Sequence, residues 1–312
     1  MAFEVSPFIP EARAQWDAFV DTSRNGTFLH RREFMEYHAD RFVDASLLVR
    51  DESGHCVAIM PANRLQDKVV SHGGLTYGGL IYSSRLKQTA CLEVLKNIVQ
   101  HYCLQGVSHL TYKSIPTIFH RSAGQEDLYA IWRLGGQLTR RDVSTAVDLR
   151  ANYRFSKGRT WTVNKAMKAG IQVRRQTDPL SFHALLECVL SQHGASPVHS
   201  VGELVFLMGR FPQEIQLYEA VLNEKLMAGA LVFDVGATVH TQYLANSDAG
   251  RELGALDLLL ADLMKKQFAD KRFFSFGISS AANGTVLNEG LIAQKEGFGG
   301  FSVCHDFYEL TI

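Results

Sequence analysis

The stretch VHTQYLANSDAGRELGALDLLLADLMKKQFA, residues 239–269, decides how this chain folds. Its pattern predicts a strand over 239–246, a glycine-containing loop over 247–255 and an apolar helix over roughly 252–269. A helix N-terminus presents free backbone N–H groups and the positive end of the helix dipole, and glycines let a ligand approach the backbone closely. The segment therefore fits either a plain glycine loop before a core helix or a pyrophosphate site. It is neither a GxGxxG loop nor a P-loop, so it indicates no dinucleotide and no NTPase.

Outward from this segment, the two halves of the chain show the same order of elements. The first half reads as mixed α/β, with two helices, two hairpin strands, a glycine loop, a helix and a strand predicted over 11–21, 31–38, 46–51, 56–65, 71–82, 86–105 and 107–115. In the second half, two helices, three strands, a helix, a strand, a helix and a strand are predicted over 180–192, 201–210, 214–222, 225–235, 239–246, 252–269, 272–279, 284–294 and 301–312. Because 312 residues correspond to about two domains at ~100–200 residues each, we expect two lobes, 1–150 and 151–312.

Charge is balanced over the whole chain but not along it. The 32 Lys and Arg residues equal the 32 Asp and Glu residues, so a surface that coats nucleic acid is not expected and we expect no DNA partner. Apolar residues make up 46%, which excludes general disorder and allows a sizeable core. Residues 150–177 nevertheless hold eight basic residues and no acidic one: Arg150, Arg154, Lys157, Arg159, Lys165, Lys168, Arg174 and Arg175. This basic run fits either a solvated helix with snorkelling side chains or a site for anionic ligands such as phosphates.

The cysteines and the N-terminal sequence bear on compartment, metal binding and membrane insertion. The five cysteines are odd in number and form no CxxC pair, which argues against a disulfide framework and a structural zinc site and favours a cytoplasmic location. HExxH spacing is missing too, so no metal is expected. The first residues lack the apolar run of a signal peptide, and no stretch of ~20 apolar residues predicts a membrane span.

The glycine loop resembles the pyrophosphate loop of the GNAT acyltransferases, in which Arg or Gln is followed by two residues, Gly, one residue and then Gly or Ala. The segment Arg251-Glu252-Leu253-Gly254-Ala255 supplies the Arg and the first Gly, while the small residue falls one place early. Three longer stretches, 25–49, 113–149 and 274–300, are similar to the Fem-type, GNAT-like transferases, in particular the branch associated with bacterial surface-polysaccharide gene clusters. Together with SPVHSVGEL and HTQYLAN they are spread along the chain from residue 25 to residue 300, and a strand ending in FG followed by LNxGL and KEGFGG is the most specific part.

The resemblance implies an α/β (α+β) fold of two tandem GNAT-like lobes, each a mixed, mainly antiparallel sheet flanked by helices. It implies transfer of an acyl or aminoacyl group to an amine in a cleft between or beside the lobes, with acetyl-CoA or another acyl-CoA as donor. The donor site is expected in the second lobe, where Gly250, Arg251, Gly254 and Ala255 would bind the cofactor. The first lobe is expected to be degenerate and to contribute substrate contacts, because its glycine loop contains no Arg.

Such a transfer needs a base for the attacking amine, donors for the tetrahedral oxyanion and a proton for the leaving thiolate. His199 and Glu203 are candidates for the base, since His199 precedes a predicted helix and histidine titrates near neutral pH. Ser200 and Glu203 also match a capping box, so Glu203 is alternatively a helix cap.

Three polar side chains follow one another on the strand before the glycine loop. Strict alternation places His240 and Gln242 on one face and Tyr243 on the other, unless the strand bulges. His240 and Tyr243 are candidate catalytic residues, with an exposed sheet face and a core aromatic as the alternatives. Lys295 in KEGFGG lies in the region that is close to the active cleft in Fem-type enzymes. It could stabilise the oxyanion or bind a phosphate, or be the basic residue at a helix end.

Further residues are candidates for contacts with the acceptor substrate, and they come from both halves of the chain. They are Lys113, His120, Arg154, Lys157, Arg159, Gln242, Ser279 and Asn288. Asn288 is alternatively a packing residue.

The leading hypothesis is an N-acyltransferase that moves an acyl group from acyl-CoA to the amine of a nucleotide-linked amino sugar in surface-polysaccharide or O-antigen biosynthesis. One alternative is a Fem-type transferase that takes an aminoacyl group from tRNA to a peptidoglycan precursor. A second alternative is a non-catalytic binding protein of the same fold. The sequence leaves open the acyl group, the sugar, the general base and the oligomeric state.

Overall fold

The structure is a computed structural model that describes residues 2–192 and 194–312. Two compact units divide the described chain. The first unit runs to Val143 and also takes in Ser280–Val286 and Cys304–Ile312, and the second comprises Ser144–Ser279 and Leu287–Val303. The lobes 1–150 and 151–312 remain a prediction about domains, and the units differ from them in including two C-terminal segments within the first. None of the described helices is long and apolar enough to cross a membrane.

The strands are numbered in chain order. They are β1 (Glu4–Pro7), β2 (Val43–Asp44), β3 (Leu47–Arg50), β4 (Cys56–Met60), β5 (Asn63–Leu65), β6 (Lys68–Val70), β7 (Ile81–Tyr82), β8 (His109–Lys113), β9 (Gln137–Asp148), β10 (Gln172–Gln176), β11 (Ile215–Leu222), β12 (Lys225–Asp234), β13 (Thr238–Asn246), β14 (Phe273–Ile278), β15 (Ser280–Ala281), β16 (Val286–Leu287) and β17 (Phe301–Thr311).

The helices are α1 (Arg13–Thr22), α2 (Arg32–Met35), α3 (Gln88–Leu104), α4 (Glu126–Arg133), α5 (Lys157–Lys168), α6 (Leu180–Ser191), α7 (Val201–Arg210), α8 (Asp248–Leu253), α9 (Ala255–Asp262) and α10 (Glu289–Glu296). A π-helix, Leu263–Gln267, continues α9. Short 3₁₀ turns occupy Pro10–Ala12, Phe28–His30, Glu36–Arg41 and Thr117–Phe119.

The first unit contains a small antiparallel sheet in the order β1-β3-β4-β7 and a second row of strands in the order β17-β8-β6-β5-β2. Within the second row β6 and β8 are parallel. Helix α3 buries Cys91, Val94, Leu95 and Ile98 in the core of this unit, because these residues recur on one helical face.

The second unit has the strand order β10-β11-β12-β13-β14, followed by the part of β9 from Ser144 onward. Its neighbours are antiparallel except β13 and β14, which are parallel and are joined by α8, α9 and the π-helix. A parallel pair needs such a crossover because a tight turn cannot reverse the chain twice. The mixed, mainly antiparallel sheets with flanking helices confirm the predicted α/β class.

Both predicted hairpins are confirmed, and their turn residues show why. Gly54 lies between β3 and β4 with φ of 78°. Asn223 and Glu224 lie between β11 and β12 with φ of 49° and 60°, the left-handed pair that a two-residue hairpin requires. These turns depend on a few adjacent residues, so a sequence reading can find them.

Other predicted elements differ from the structure where the backbone is interrupted. The strand predicted over 56–65 is two strands, β4 and β5, separated by Pro61, which cannot donate to a sheet. The helix predicted over 284–294 begins at Glu289, because Asn283 and Gly284 adopt φ of 53° and 85° in a turn between β15 and β16. The long strand β9 was not predicted, although Gln137–Asp148 lies within one of the stretches that carry the family resemblance.

The decisive stretch itself is more broken than predicted. Its strand extends over Thr238–Asn246 as expected, but the loop and the single helix become α8, α9 and the π-helix. Gly254 interrupts them with φ of 82°, a left-handed conformation that ends α8 and precedes α9. Gly250 and Arg251 therefore lie within a short helix rather than in an open loop.

Candidate active site

Strand β13 carries a β-bulge at Gln242. Leu231 of β12 lies opposite Tyr243, whereas the next residue, Val232, lies opposite Thr241. Two steps on β13 are therefore matched by one step on β12, and Gln242 is the extra residue. The bulge shifts the alternation of every side chain that follows it on the strand.

The bulge places His240 and Tyr243 on the same face of the sheet. His240 lies opposite Phe233 and Tyr243 lies opposite Leu231. Residues directly opposite each other share a face, and Leu231 and Phe233 are two residues apart on β12, so they share one as well. The exception that the sequence reading allowed for, a bulged strand, is what the structure shows.

The two faces of this sheet are covered by different helices. Val232 and Val239 point to the face that packs against Leu259 of α9. Gly229, two residues before Leu231, lies on the other face, where a Cβ atom would collide with the Phe182 ring of α6. His240 and Tyr243 are thus on the α6 side.

Tyr243 is paired with His199. Its hydroxyl oxygen accepts the backbone N–H of His199 at 3.3 Å and lies 2.7 Å from Nδ1 of the His199 ring. The His199 side chain is 6% exposed, and burial raises the pKa of Tyr243 above its ordinary value. The tyrosine therefore keeps its proton at neutral pH while its oxygen holds the histidine in place.

His183 supports this pair from α6, and the sequence reading missed it. Its Nε2–H donates to the backbone carbonyl of His199 at 3.0 Å, and its Nδ1 is 3.7 Å from a carboxylate oxygen of Glu187. The i,i+4 spacing of His183 and Glu187 on a predicted helix was the available sign. Without the tertiary fold, nothing linked that spacing to His199.

Glu203 forms the capping box that its sequence pattern allows. Its carboxylate accepts the backbone N–H of Ser200 at 2.7 Å, and the hydroxyl of Ser200 accepts the backbone N–H of Glu203 at 3.2 Å. The predicted catalytic role of Glu203 stays a prediction, and the contacts describe a residue that stabilises the start of α7.

His240 lies where the parallel strands β13 and β14 part. The two strands are paired from Thr238, which lies opposite Phe273, to His240, which lies opposite Ser275. Both strands continue past this point through described residues, to Asn246 and Ile278, without further pairing to each other. His240 Nδ1 is 3.1 Å from the Ser275 hydroxyl. Backbone groups of two diverging strands are exposed to a ligand between them, which is the arrangement that an acyl carbonyl and its oxyanion need.

Lys295 closes the end of β14. Its Nζ donates to the carbonyls of Gly277 and Ile278 at 2.9 and 2.7 Å and to the hydroxyl of Ser279 at 2.8 Å. Burial lowers the pKa of Lys295 to about 8, so the ammonium form still dominates at neutral pH. A Cβ built on Gly277 would lie 3.4 Å from Cε1 of His240, which places the Lys295 clamp beside the histidine.

The predicted cofactor residues are packed against their own unit. A Cβ on Gly254 would collide with the Thr162 side chain of α5 and lie 2.8 Å from the Thr162 carbonyl oxygen. Gly250 packs against the carbonyl of Met227, Ala255 is buried, and the Arg251 side chain lies 3.5 Å from Asp248. Pyrophosphate binding by these residues remains a prediction.

The basic run is partly neutralised by hydrogen bonds and ion pairs. Arg159 holds both carboxylate oxygens of Asp257 at 2.8 and 2.6 Å, and Lys165 donates to the carbonyl of Glu252 at 2.6 Å. Arg154 and Lys157 are exposed, and the described part of the chain offers neither of them a carboxylate. Of the three predicted phosphate ligands in this run, Arg159 is therefore committed to α9.

Solved structures resemble this chain along almost its whole length, whereas no protein-family model and no curated protein matches it. A crystal structure of FemX has a TM-score of 0.69 at 13% identity, covering 99% of this chain and 97% of that one. L-PGS from Bacillus licheniformis gives 0.61 at 14% identity, covering 96% and 91%. A tandem GNAT protein from the clavulanic acid biosynthesis pathway gives 0.50 at 12% identity, covering 99% and 98%.

The fold is Fem-like, with GNAT-like units. At identities of 12–14% the likeness is one of fold, and the roles of individual residues stay predictions. Among the residues that the structure describes, no group of three or more His, Cys, Asp and Glu side chains is placed to hold a metal ion.

The remaining predicted contacts fall at different places. Ser279 binds Lys295, while Asn288 caps α10 through its side chain, which accepts the backbone N–H of Leu291 at 3.0 Å. In the first unit the Lys113 ammonium donates to the carbonyls of His72 and Leu75.

His120 is also buried in the first unit. Its Nε2 lies 2.9 Å from the carbonyl of Ile115, and burial lowers the pKa of the ring. Each of these polar groups has a local structural partner, so their contacts with substrate remain predictions.

Proposed function

We propose that the second unit transfers an acyl group from an acyl-CoA to an amine, and that the acceptor is a nucleotide-linked amino sugar used in surface-polysaccharide biosynthesis. The observation that supports this most is the bulge at Gln242. It brings His240 and Tyr243 to one face, where Tyr243 is bound to His199. A base, an acid and a diverging strand pair on one side of a sheet are the parts that acyl transfer needs.

In the proposed reaction the amine nitrogen attacks the thioester carbonyl carbon and His199 accepts the amine proton. This role requires the tautomer in which His199 Nδ1–H donates to the Tyr243 oxygen and the amine proton is accepted at Nε2. The tyrosine oxygen then accepts two hydrogen bonds, and its own O–H points to the leaving sulfur. As the C–S bond breaks, Tyr243 protonates the thiolate and recovers a proton from Nδ1 of His199.

The tetrahedral oxyanion needs donors fixed before the reaction. Backbone N–H groups beyond His240, where β13 and β14 diverge, can supply them. Lys295 adds a positive charge beside them, because its ammonium is held at Gly277 and Ser279. All three N–H bonds of Lys295 already have acceptors. Lys295 therefore stabilises the oxyanion electrostatically, and it donates a hydrogen bond to substrate only if one of these acceptors is displaced.

A second candidate is transfer of an aminoacyl group from tRNA, and one observation favours it. A Cβ on Gly254 would collide with Thr162, so one side of the glycine in the GNAT-type loop is already occupied by α5. The N-terminal turn of α9 also contains Asp257, whose carboxylate already holds Arg159. An ester donor that does not use this loop would be compatible with the same His199 and Tyr243 chemistry.

Calorimetric titration with acetyl-CoA and, separately, with a UDP-linked amino sugar tests the proposal, followed by an assay of thiol release with both present. Binding of both and release of thiol support the acyl-CoA reaction, and binding of neither overturns it. Activity with charged tRNA alone establishes the second candidate. Tyr243→Phe should slow thiol release without abolishing binding of either ligand, because it removes the transferable proton and keeps the ring.

A further inference from the structure

We propose that the second unit contains a separate binding site for a small amphipathic anion, a molecule with an apolar body and one carboxylate or phosphate head. A cavity of about 640 Å³ lies between α5, the start of β10, α9 and the π-helix. Sites for small molecules are typically ~300–1,000 Å³, so this cavity is large enough for such a ligand.

The cavity is mainly apolar. Its walls include Phe155, Val163, Met167, Ile171, Val173 and Leu258. The Met167 side chain is 60% exposed, although it belongs to this apolar wall. Methionine adapts its shape to ligands, and covering this surface would remove it from water.

The charges at the rim favour an anion. Lys266 is 2.5 Å from a carboxylate oxygen of Asp262, and Gln267 donates to the other oxygen at 3.1 Å. The acidic residue of the cavity is therefore already neutralised. Lys265 has no carboxylate partner among the described residues, and its Nζ lies 4.1 Å from the centre of the Phe155 ring. Lys265 can therefore bind the anionic head of a ligand while the apolar body of the ligand contacts the adjacent wall.

The wall that supplies this lysine has unusual geometry. Leu263–Gln267 is a π-helix, and the backbone N–H of Phe268 bonds to the carbonyl of Leu263. π-Helices account for well under 1% of residues and occur frequently at functional sites. The local backbone therefore also indicates that this wall has a role beyond packing.

This cavity is distinct from the site around His199 and Lys295. Leu258 and Ala261 belong to α9, which covers the face of the sheet that Val232 and Val239 share. His240 and Tyr243 point to the opposite face, on the side of α6. The two sites can therefore be altered separately.

The test uses the full chain with decanoate and decyl phosphate as probes, and with decanol as the uncharged comparison. We expect saturable one-to-one binding of both anions in a calorimetric titration, and weaker binding of decanol. Lys265→Met should weaken anion binding about tenfold, or about 1.4 kcal/mol, because it removes the cation that binds the ligand head. The double variant Asp262→Asn/Lys266→Met is the matched control, because it removes a neutral ion pair and leaves Lys265 in place, and Met167→Trp should block the cavity.

Three results would overturn the proposal. They are the absence of saturable binding of either anion, equal weakening by Lys265→Met and by the control variant, and unchanged binding in Met167→Trp. Thermal unfolding of each variant shows whether it is folded, and Met167→Trp alters an exposed residue, so one informative variant remains if Lys265→Met unfolds.

Discussion

Each unit contains a parallel strand pair joined by a glycine-containing loop and a helix, and the two differ in what the loop presents. In the first unit the pair is β6 and β8. Lys113 at the end of β8 donates to the carbonyls of His72 and Leu75 in the loop. The loop therefore directs backbone carbonyl oxygens towards a buried cation. A phosphate site would instead need backbone N–H groups directed towards the ligand.

In the second unit the pair is β13 and β14, and the buried lysine comes from a different element. Lys295 of α10 binds carbonyls at the end of β14 rather than in the loop after β13. It lies beside His240, on a strand that bulges and parts from its neighbour. A buried lysine therefore lies at both crossovers. In the first unit it binds the carbonyls of the loop, and in the second it binds carbonyls at the end of β14, beside His240.

The comparison predicts that chemistry depends on the polar site beside the second crossover, where Tyr243 of β13 is bound to His199. His199→Ala should lower turnover by ~10²–10⁴, the usual contribution of a general base. His109→Ala, on β8 of the first crossover, should leave turnover unchanged. Steady-state kinetics of both folded variants checks this, and unchanged turnover in His199→Ala would show that the base is elsewhere.

Substitution of the two buried lysines, Lys295 and Lys113, should affect different kinetic parameters. Lys295→Met should lower kcat by ~10²–10³, because it removes a positive charge beside the developing oxyanion. If Lys113 contacts the acceptor as predicted from the sequence, Lys113→Met should raise KM and affect kcat much less. The same effect of both substitutions on kcat would remove the functional difference between the crossovers.

Stability should depend on pH through both lysines. Burial lowers the pKa of Lys113 and Lys295 to about 8, so between pH 8 and about 10 the unfolded chain binds more protons than the folded one. The free energy of unfolding should therefore rise with pH over this window, by up to about 3 kcal/mol for each lysine. Urea unfolding at several pH values measures it.

Each Lys→Met variant should remove about half of this pH dependence. Equal dependence in the wild type and in both variants would contradict burial as its cause.

The smallest expected effect concerns the helix cap of the second unit. Ser200→Ala should lower the free energy of unfolding by about 1 kcal/mol, because Ser200 satisfies a backbone donor of α7. Glu203→Gln should leave kcat unchanged if Glu203 is a cap only. A large fall in kcat with normal stability would restore its predicted catalytic role. In the first unit, the backbone N–H of Thr27 donates to the side chain of His30, three residues later. This contact is a second example of a capping interaction, with which the contacts of Glu203 can be compared.

Local patterns predicted most of the second half of the chain. The turn at Asn223 and Glu224, helix α7 and strand β13 depend on neighbouring residues, and their limits agree closely with the structure. The helix after β13 was predicted as continuous, because the apolar pattern passes over Gly254. Packing against Thr162 and a left-handed φ interrupt it there.

The candidate site could be named in part but not assembled. His199, His240, Tyr243 and Lys295 were each selected from the sequence. Their arrangement depends on the register of β12 against β13 and on contacts between elements that are far apart in the chain. No local pattern revealed Asp257 as the partner of Arg159, since 98 positions separate them.

The sequence by itself determined the α/β class, the repeated order of elements and the identity of the polar groups available for chemistry. These follow from hydrophobic periodicity and turn residues, which act over a few positions. The tertiary structure alone decided that Gln242 bulges, that Tyr243 consequently shares a face with His240, and that Arg159 of the basic run binds Asp257 of α9. The reason is physical: strand register and long-range pairing are set by how whole elements pack, and one residue of register moves a side chain to the other face.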